Sequence, residues 1–348
     1  SKRLKNNSEF LFLMHFFSTD LVQHFLWNRV TDEWDPRLEV FRVVDQVIGK
    51  ILELAPENSS FIVVSDHGFG PVERIFNVNN WLRKEGYLEI EDSSKAWLKR
   101  GLSRLGLNQR SLKSLGEKVY PIAKSLGLAP KNSIAASSHP LLKSCFLSAR
   151  DVNWEKTVAY SKSDIGHVRL NLSQREKEGW IDRKEVPTFQ EEIQKKLESV
   201  KIPDTGKKLA DWVKPKEEIY YGPYLKDAPD LLFNPLTQKS VGFGAAMFIS
   251  DELFVDPFKP GDHRRNGILM ASGPTVHPGK RDASIIDIAP TLLNLFNYPI
   301  PEQMDGEVIR EIAPDEPTYH RPADFYRSRK VEAEFDDSRK KLENLGYL

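Results

Sequence analysis

Phe61-Ile62-Val63-Val64-Ser65-Asp66-His67-Gly68-Phe69-Gly70 begins as an apolar, β-branched run and breaks off into two metal-binding side chains followed by glycine. Such a run fits a short strand buried on both faces, and open parallel sheets present their chemistry just beyond the carboxyl ends of their strands. Adjacent Asp66 and His67 offer one hard oxygen and one borderline nitrogen, a pairing that suits zinc or manganese. Gly68 and Gly70 permit the turn that aims both side chains at one ion.

Upstream, Glu9 to Phe17 form a second apolar run, which reads as a strand ending at Ser18-Thr19-Asp20, and a helical pattern continues from Leu21 towards Trp27. Between Pro36 and Leu54 the apolar residues Leu38, Val40, Phe41, Val44, Val47, Ile48 and Ile51 take helical spacing. Strand, helix and strand in that order imply a right-handed crossover and a parallel pair, with Asp20 and Asp66 on one rim of the sheet. Asp20 and His24 stand four apart, so one helix face can present both to a single ion. Taken alone, that spacing fits a helix cap or a solvated pair equally well. His263 adds a third imidazole, in the glycine-bounded loop Gly261-Asp262-His263-Arg264-Arg265-Asn266-Gly267. A strand, Ile268 to Ala271, and a helix, Ile285 to Phe296 with Asp287 and Pro290 in its first turns, are predicted to follow. Together Asp20, His24, Asp66, His67 and His263 resemble two adjacent metal sites.

The remaining composition narrows the function class. Fifty basic and fifty acidic side chains cancel over 348 residues, which argues against an overall commitment to nucleic acid or to a membrane surface. No run approaches the roughly 18–20 apolar residues that a transmembrane helix needs. The single cysteine, Cys145, excludes an internal disulfide framework and a thiolate-rich zinc site, and it leans towards a reducing, cytoplasmic compartment. From Ser93 to Arg150, eleven Lys or Arg face one acid, Glu117, with leucines at helical spacing. This reads as a basic helical insertion, either a solvated cap or an anion-steering surface. Mixed strand material over Trp154 to Leu172, a charged helix over Thr188 to Val200 and a glycine-rich turn around Gly242 and Gly244 suggest an accessory α/β piece. Asp262 is a candidate orienter of His263 or a surface carboxylate, and Arg264 and Arg265 are candidate phosphate contacts or merely a charged loop. His167 reads as a strand histidine.

Three segments in order, Ser18-Thr19-Asp20-Leu21-Val22-Gln23-His24-Phe25-Leu26-Trp27, Ser65-Asp66-His67-Gly68-Phe69-Gly70 and Gly261-Asp262-His263-Arg264, make the chain resemble the alkaline phosphatase superfamily. Within it the chain is most similar to the type I phosphodiesterase and nucleotide pyrophosphatase branch in its prokaryotic form. Ala228-Pro229-Asp230-Leu231, Ile286-Asp287-Ile288-Ala289-Pro290-Thr291, Met304-Asp305-Gly306 and the closing Leu345-Gly346-Tyr347-Leu348 extend the likeness.

The resemblance implies an α/β core with a mostly parallel sheet flanked by helices. By that reading the core occupies 1–92 and 236–313, the basic insertion 93–150, the accessory α/β region 151–235 and a charged helical tail 314–348. It implies two divalent cations, zinc first and manganese as the alternative. One is held by Asp20, His24 and His263; the other is held by Asp66 and His67 together with an earlier Asp and a nucleophilic Thr or Ser. Those last two have no counterpart here and are expected in an amino-terminal segment of the same protein, so the isolated chain is expected to be inactive. The implied reaction is hydrolysis of phosphodiester or pyrophosphate bonds in small anionic, nucleotide-like substrates through a covalent intermediate. The alternatives are a phosphomonoesterase, phosphonate hydrolase or sulfatase of the same superfamily, a non-catalytic metal-binding relative, or a basic binding module built on 93–150. A manganese-dependent mutase would carry further ligands that the chain does not offer.

Overall fold

Asp35 starts the long helix that the apolar spacing predicts. Its carboxylate accepts the Arg37 N–H at 2.9 Å, and Pro36 takes the first helical position, where no amide hydrogen is needed. In the computed structural model this helix, α2, spans Pro36–Leu54, and α1 spans Ser18–Leu26. The structure describes residues 11–94, 99, 101, 149–162, 166–203, 205–235, 241–244, 252–257 and 259–320. The expected helices of the basic insertion and of the tail beyond 320, with the closing Leu345-Gly346-Tyr347-Leu348, lie outside the described residues.

The first strands are β1 (Phe61–Val64), β2 (Gly68–Pro71) and β3 (Arg74–Asn77), and α3 (Val78–Lys84) follows directly. Then come β4 (Ala159–Tyr160), β5 (His167–Leu170), α4 (Val186–Ser199), β6 (Ala210–Pro215), β7 (Leu231–Pro235), β8 (Val241–Gly244) and β9 (Phe254–Val255). The described chain closes with β10 (Gly261–Arg264), β11 (Leu269–Ser272), α5 (Ile288–Leu295), β12 (Ile300–Pro301) and β13 (Tyr319–His320). These elements divide into two compact units.

The first unit comprises Ser1–Met14, Val44–Gly68 and Arg265–Leu348. Its β1 pairs antiparallel with β11, Phe61 opposite Ser272 and Val64 opposite Leu269. The ladder runs one residue further, because Ser65 donates its N–H to the Ile268 carbonyl at 3.0 Å and its Oγ accepts the Ile268 N–H at 2.8 Å. Ser284 and Asp287 form a capping box on the turn that leads into α5, which supports the predicted helix start.

The second unit comprises His15–Val43 and Phe69–Arg264 and contains the largest apolar core. A four-stranded antiparallel sheet in the order β4-β5-β7-β6 packs under α4, whose Ile193 and Leu197 are fully buried. Within the Trp154 to Leu172 stretch read as strand material lie β4 and β5, and α4 overlaps the predicted helix Thr188 to Val200. A second sheet runs β8-β3-β9, and its β3–β8 pair is parallel. Val241–Gly244 is therefore a strand rather than the glycine-rich turn that its composition suggests.

Two expectations are corrected. The mostly parallel sheet is not shown: most described pairs are antiparallel, including the one that β1 makes. The described part of the predicted strand Glu9 to Phe17 is not a strand; residues 11–16 take no regular structure, and Leu13 is 78% exposed. An apolar run becomes a strand only where another backbone satisfies its N–H and C=O groups, and no ladder is formed to this stretch among the described residues.

His167 begins β5, where burial first and the Arg169 charge second push its imidazole down from the ordinary 6.5 to about 4. The unfolded chain takes up this proton near pH 6.5 and the folded sheet resists it until about pH 4, so stability is full above that window and falls as pH drops through it. Discounted for solvent screening, the loss is about 1–2 kcal/mol. Urea titrations at pH 7 and pH 4 are expected to show this part of the decline for the native chain and its absence for His167→Asn.

Candidate metal centre

Gly261 is where the second unit's ligands are brought together. A Cβ there would overlap the Gln23 carbonyl of α1 and approach Trp27 Cβ to 3.0 Å, so only glycine lets β10 lie this close to the helix. The close approach places the Gly261 carbonyl 2.9 Å from His24 Nδ1. A carbonyl oxygen only accepts, so Nδ1 carries the hydrogen and Nε2 keeps its lone pair. Two residues along β10, His263 turns its own Nε2 towards that lone pair at 3.1 Å and towards Asp20 Oδ1 at 3.2 Å. His24 Nε2 and Asp20 Oδ1 are 3.6 Å apart, the short reach expected of an i, i+4 pair on one helix face.

Asp20, His24 and His263 thus offer three ligand atoms at 3.1, 3.2 and 3.6 Å from one another. Tetrahedral bonds of about 2.0–2.1 Å to one ion separate its ligands by roughly 3.3 Å, so the donor set fits zinc in both type and spacing. A carbonyl behind His24 Nδ1 is the kind of partner that holds a metal-binding imidazole in one tautomer. His24 is 8% exposed, whereas His263 faces outward.

Asp66 and His67 belong to the first unit, immediately past the β1 ladder. His67 Nδ1 donates to the Gly68 carbonyl at 3.0 Å, and Asp66 Oδ1 lies 3.5 Å from Nε2. The pair therefore presents an oxygen and a nitrogen together, as the adjacent motif predicts.

The structure revises the surroundings that the sequence suggests. His263 sits on strand β10, paired with β2, rather than in a loop, and Gly68–Pro71 is itself a strand rather than a turn. Gly70 leaves room for the Arg264 guanidinium: a Cβ there would meet Nε at 2.5 Å and make that side chain shift. Arg264 spends its guanidinium on the carbonyls of Pro71, His263 (2.9 Å) and Asp262 (3.3 Å), and burial lowers its pKa from the ordinary value. In this arrangement Arg264 braces the backbone of β10 against Pro71. Asp262 Oδ1 accepts the His263 N–H at 2.9 Å, and one of its oxygens lies within 4.8 Å of ring nitrogens of both His24 and His263. The bond at 2.9 Å is made to the main chain of the strand.

Sequence reading missed Phe69, whose ring meets His24 at 4.8 Å and His263 at 5.4 Å, both edge to face. Its place between two ligand-bearing motifs was the available signal, but a phenylalanine after Asp-His-Gly carries no chemistry of its own.

With this geometry in view, comparison with known proteins gives the class. The chain belongs to the type I phosphodiesterase/nucleotide pyrophosphatase family, whose model matches residues 2–241. Asp20, His24, Asp66 and His67 fall inside the match and His263 beyond it. No curated protein and no solved structure gives a significant match to the chain. Among the described residues no helix is long and apolar enough to cross a membrane.

Proposed function

We propose that the protein hydrolyses phosphodiester or pyrophosphate bonds of small, nucleotide-like substrates with the help of two divalent cations, one held by Asp20, His24 and His263 and one drawing on Asp66 and His67. The observation that carries this reading is the 3.1–3.6 Å triangle of Asp20, His24 and His263, reinforced by membership of a phosphodiesterase family. Zinc suits a donor set of two imidazoles and one carboxylate, and manganese is the alternative.

Bound cations in such a pair supply Lewis acidity towards phosphoryl oxygens and make an oxygen nucleophile available at neutral pH. The chain's own residues prepare for that. The Gly261 carbonyl engages His24 at Nδ1, which leaves Nε2 as the atom that faces the ion. Asp20 brings the negative charge that offsets part of the cation's. His67 uses its Nδ1 hydrogen on the Gly68 carbonyl and leaves Nε2 beside the Asp66 oxygen. We assign the nucleophile to no residue of this chain; a Thr or Ser forming a covalent intermediate is part of the proposal, as is a cytoplasmic place of action.

The test is an assay of the protein as its gene encodes it, on a chromogenic phosphodiester and the matching monoester. Faster diester cleavage, lost on chelation and restored by zinc or manganese, is the expected result. Monoester preference would move the reading to a phosphatase, and turnover that survives chelation would overturn the role of the cations.

A further inference from the structure

Trp27, at the carboxyl end of α1, stacks on Phe69 with centroids 5.9 Å apart and planes inclined by 22°. On Trp27 sits the Arg37 guanidinium, its carbon 4.5 Å from the ring centroid. Arg37 is held in turn by a two-point ion pair with Asp35, Nε to Oδ1 at 2.9 Å and Nη2 to Oδ2 at 2.7 Å. Those two side chains are only 22% and 14% exposed. Arg37 keeps the Asp35 carboxyl down at about 2, so the pair stays ionised throughout the working pH range. The stack therefore runs from a capped helix start, through one cation and two rings, to the two imidazoles that Phe69 meets at 4.8 and 5.4 Å.

The column thus ends against both histidine rings. The terminal torsion of a histidine side chain is broad and nearly two-fold, so the ring needs neighbours to hold it. His24 has the Gly261 carbonyl for this purpose, and Phe69 meets His24 and His263 alike. A 1 Å drift of either ring would open the 3.1 Å separation of the two Nε2 atoms beyond what one ion spans.

We propose that Phe69 is a positioning residue, fixed by the Asp35–Arg37–Trp27 column, that holds the His24 and His263 imidazoles at the spacing a single divalent cation requires. The proposal rests on the metal-centre reading above and adds to it a residue that binds no ion.

Zinc affinity, measured by competition with a chromogenic chelator, and the cobalt absorption spectrum give readouts independent of turnover. Phe69→Leu is expected to weaken zinc binding by about 10–100-fold, the usual cost of losing a partner behind a metal ligand, and to alter the cobalt bands. Phe69→Tyr keeps the ring and is expected to bind near the wild-type value, while Arg37→Gln loosens the far end of the column and weakens binding by a smaller factor. Wild-type affinity and an unchanged cobalt spectrum in a folded Phe69→Leu variant would overturn the role. If that variant does not fold, Arg37→Gln decides, and wild-type affinity there overturns it equally. His263→Ala separates the two levels: if it binds zinc as tightly as wild type, the metal centre itself is wrong. If it loses zinc and Phe69→Leu does not, only the positioning role falls.

Discussion

Asp230→Ala is expected to destabilise the second unit by about 3–5 kcal/mol, the usual cost of removing one partner from a buried ion pair. The carboxylate is 1% exposed and sits between two cations. Arg175 donates to it through Nη1 at 3.0 Å and Nη2 at 2.6 Å, and Lys216 Nζ lies 3.1 Å from Oδ1. The Leu170 N–H adds a fourth bond at 2.7 Å. Removing the carboxylate takes the counter-charge from the Lys216 ammonium, itself 9% exposed, and leaves the Arg175 guanidinium, 14% exposed, with Glu176 Oε1 alone at 3.1 Å. The main chain of Asp230 serves the same junction, its carbonyl accepting Gln190 Nε2 from α4 at 2.8 Å and its N–H donating to the Val168 carbonyl of β5, bonds that the substitution leaves in place. The cluster thus ties helix and sheet at one point. Urea unfolding of the chain followed by circular dichroism reads the loss. A change below about 1 kcal/mol would show that the charges are solvated rather than buried. Asp230→Asn, which keeps the shape and discards the charge, is expected to fall between native and Ala.

His263→Ala is expected to be the most damaging substitution for function. It removes one corner of a triangle whose other corners, Asp20 and His24, lie on a single helix and are 3.6 Å apart. Two ligands at that spacing hold a zinc ion far more weakly than three. The loss of affinity should therefore exceed the roughly 10–100-fold that a missing partner behind a ligand causes, and diester turnover should fall with it. Chelator competition and the diester assay measure the two effects separately. His263→Ala with native affinity would remove His263 from the site, whereas lost affinity with native turnover would remove this ion from the reaction. The fold itself should survive, since His263 is exposed and its strand is held through main-chain bonds to β2.

The grouping of the candidate ligands was more legible in the residues than the architecture was. Pro36–Leu54 and Phe61–Val64 take the bounds that their spacing predicts, because an amphipathic period and a compact β-branched run are local properties. Asp20 with His24, and Asp66 with His67, are likewise visible as neighbours on a helix face and at a strand end. Strand direction is not local: nothing within Phe61–Val64 distinguishes a parallel partner from the antiparallel Leu269–Ser272, more than 200 residues away. Leu11 to Phe17 shows the same limit from the other side, being apolar enough for a strand and yet without a ladder. β10 was hidden for the opposite reason. Gly261-Asp262-His263-Arg264 has the composition of a loop, and only the Arg264 brace and the pairing with Gly68–Pro71 make it extended. Phe69 and Gly261 matter through what they touch, which a single sequence does not display.

The distance along the chain between the ligands has a consequence for biosynthesis. Asp20 and His24 leave the ribosome about 240 residues before His263, and the intervening stretch includes the whole antiparallel sheet with its buried core. Asp20 and His24 therefore stay without His263 until β10 has been made and lies against α1. The triangle can close only after the sheet between its corners has been made, so it joins parts of the second unit rather than forming within one of them.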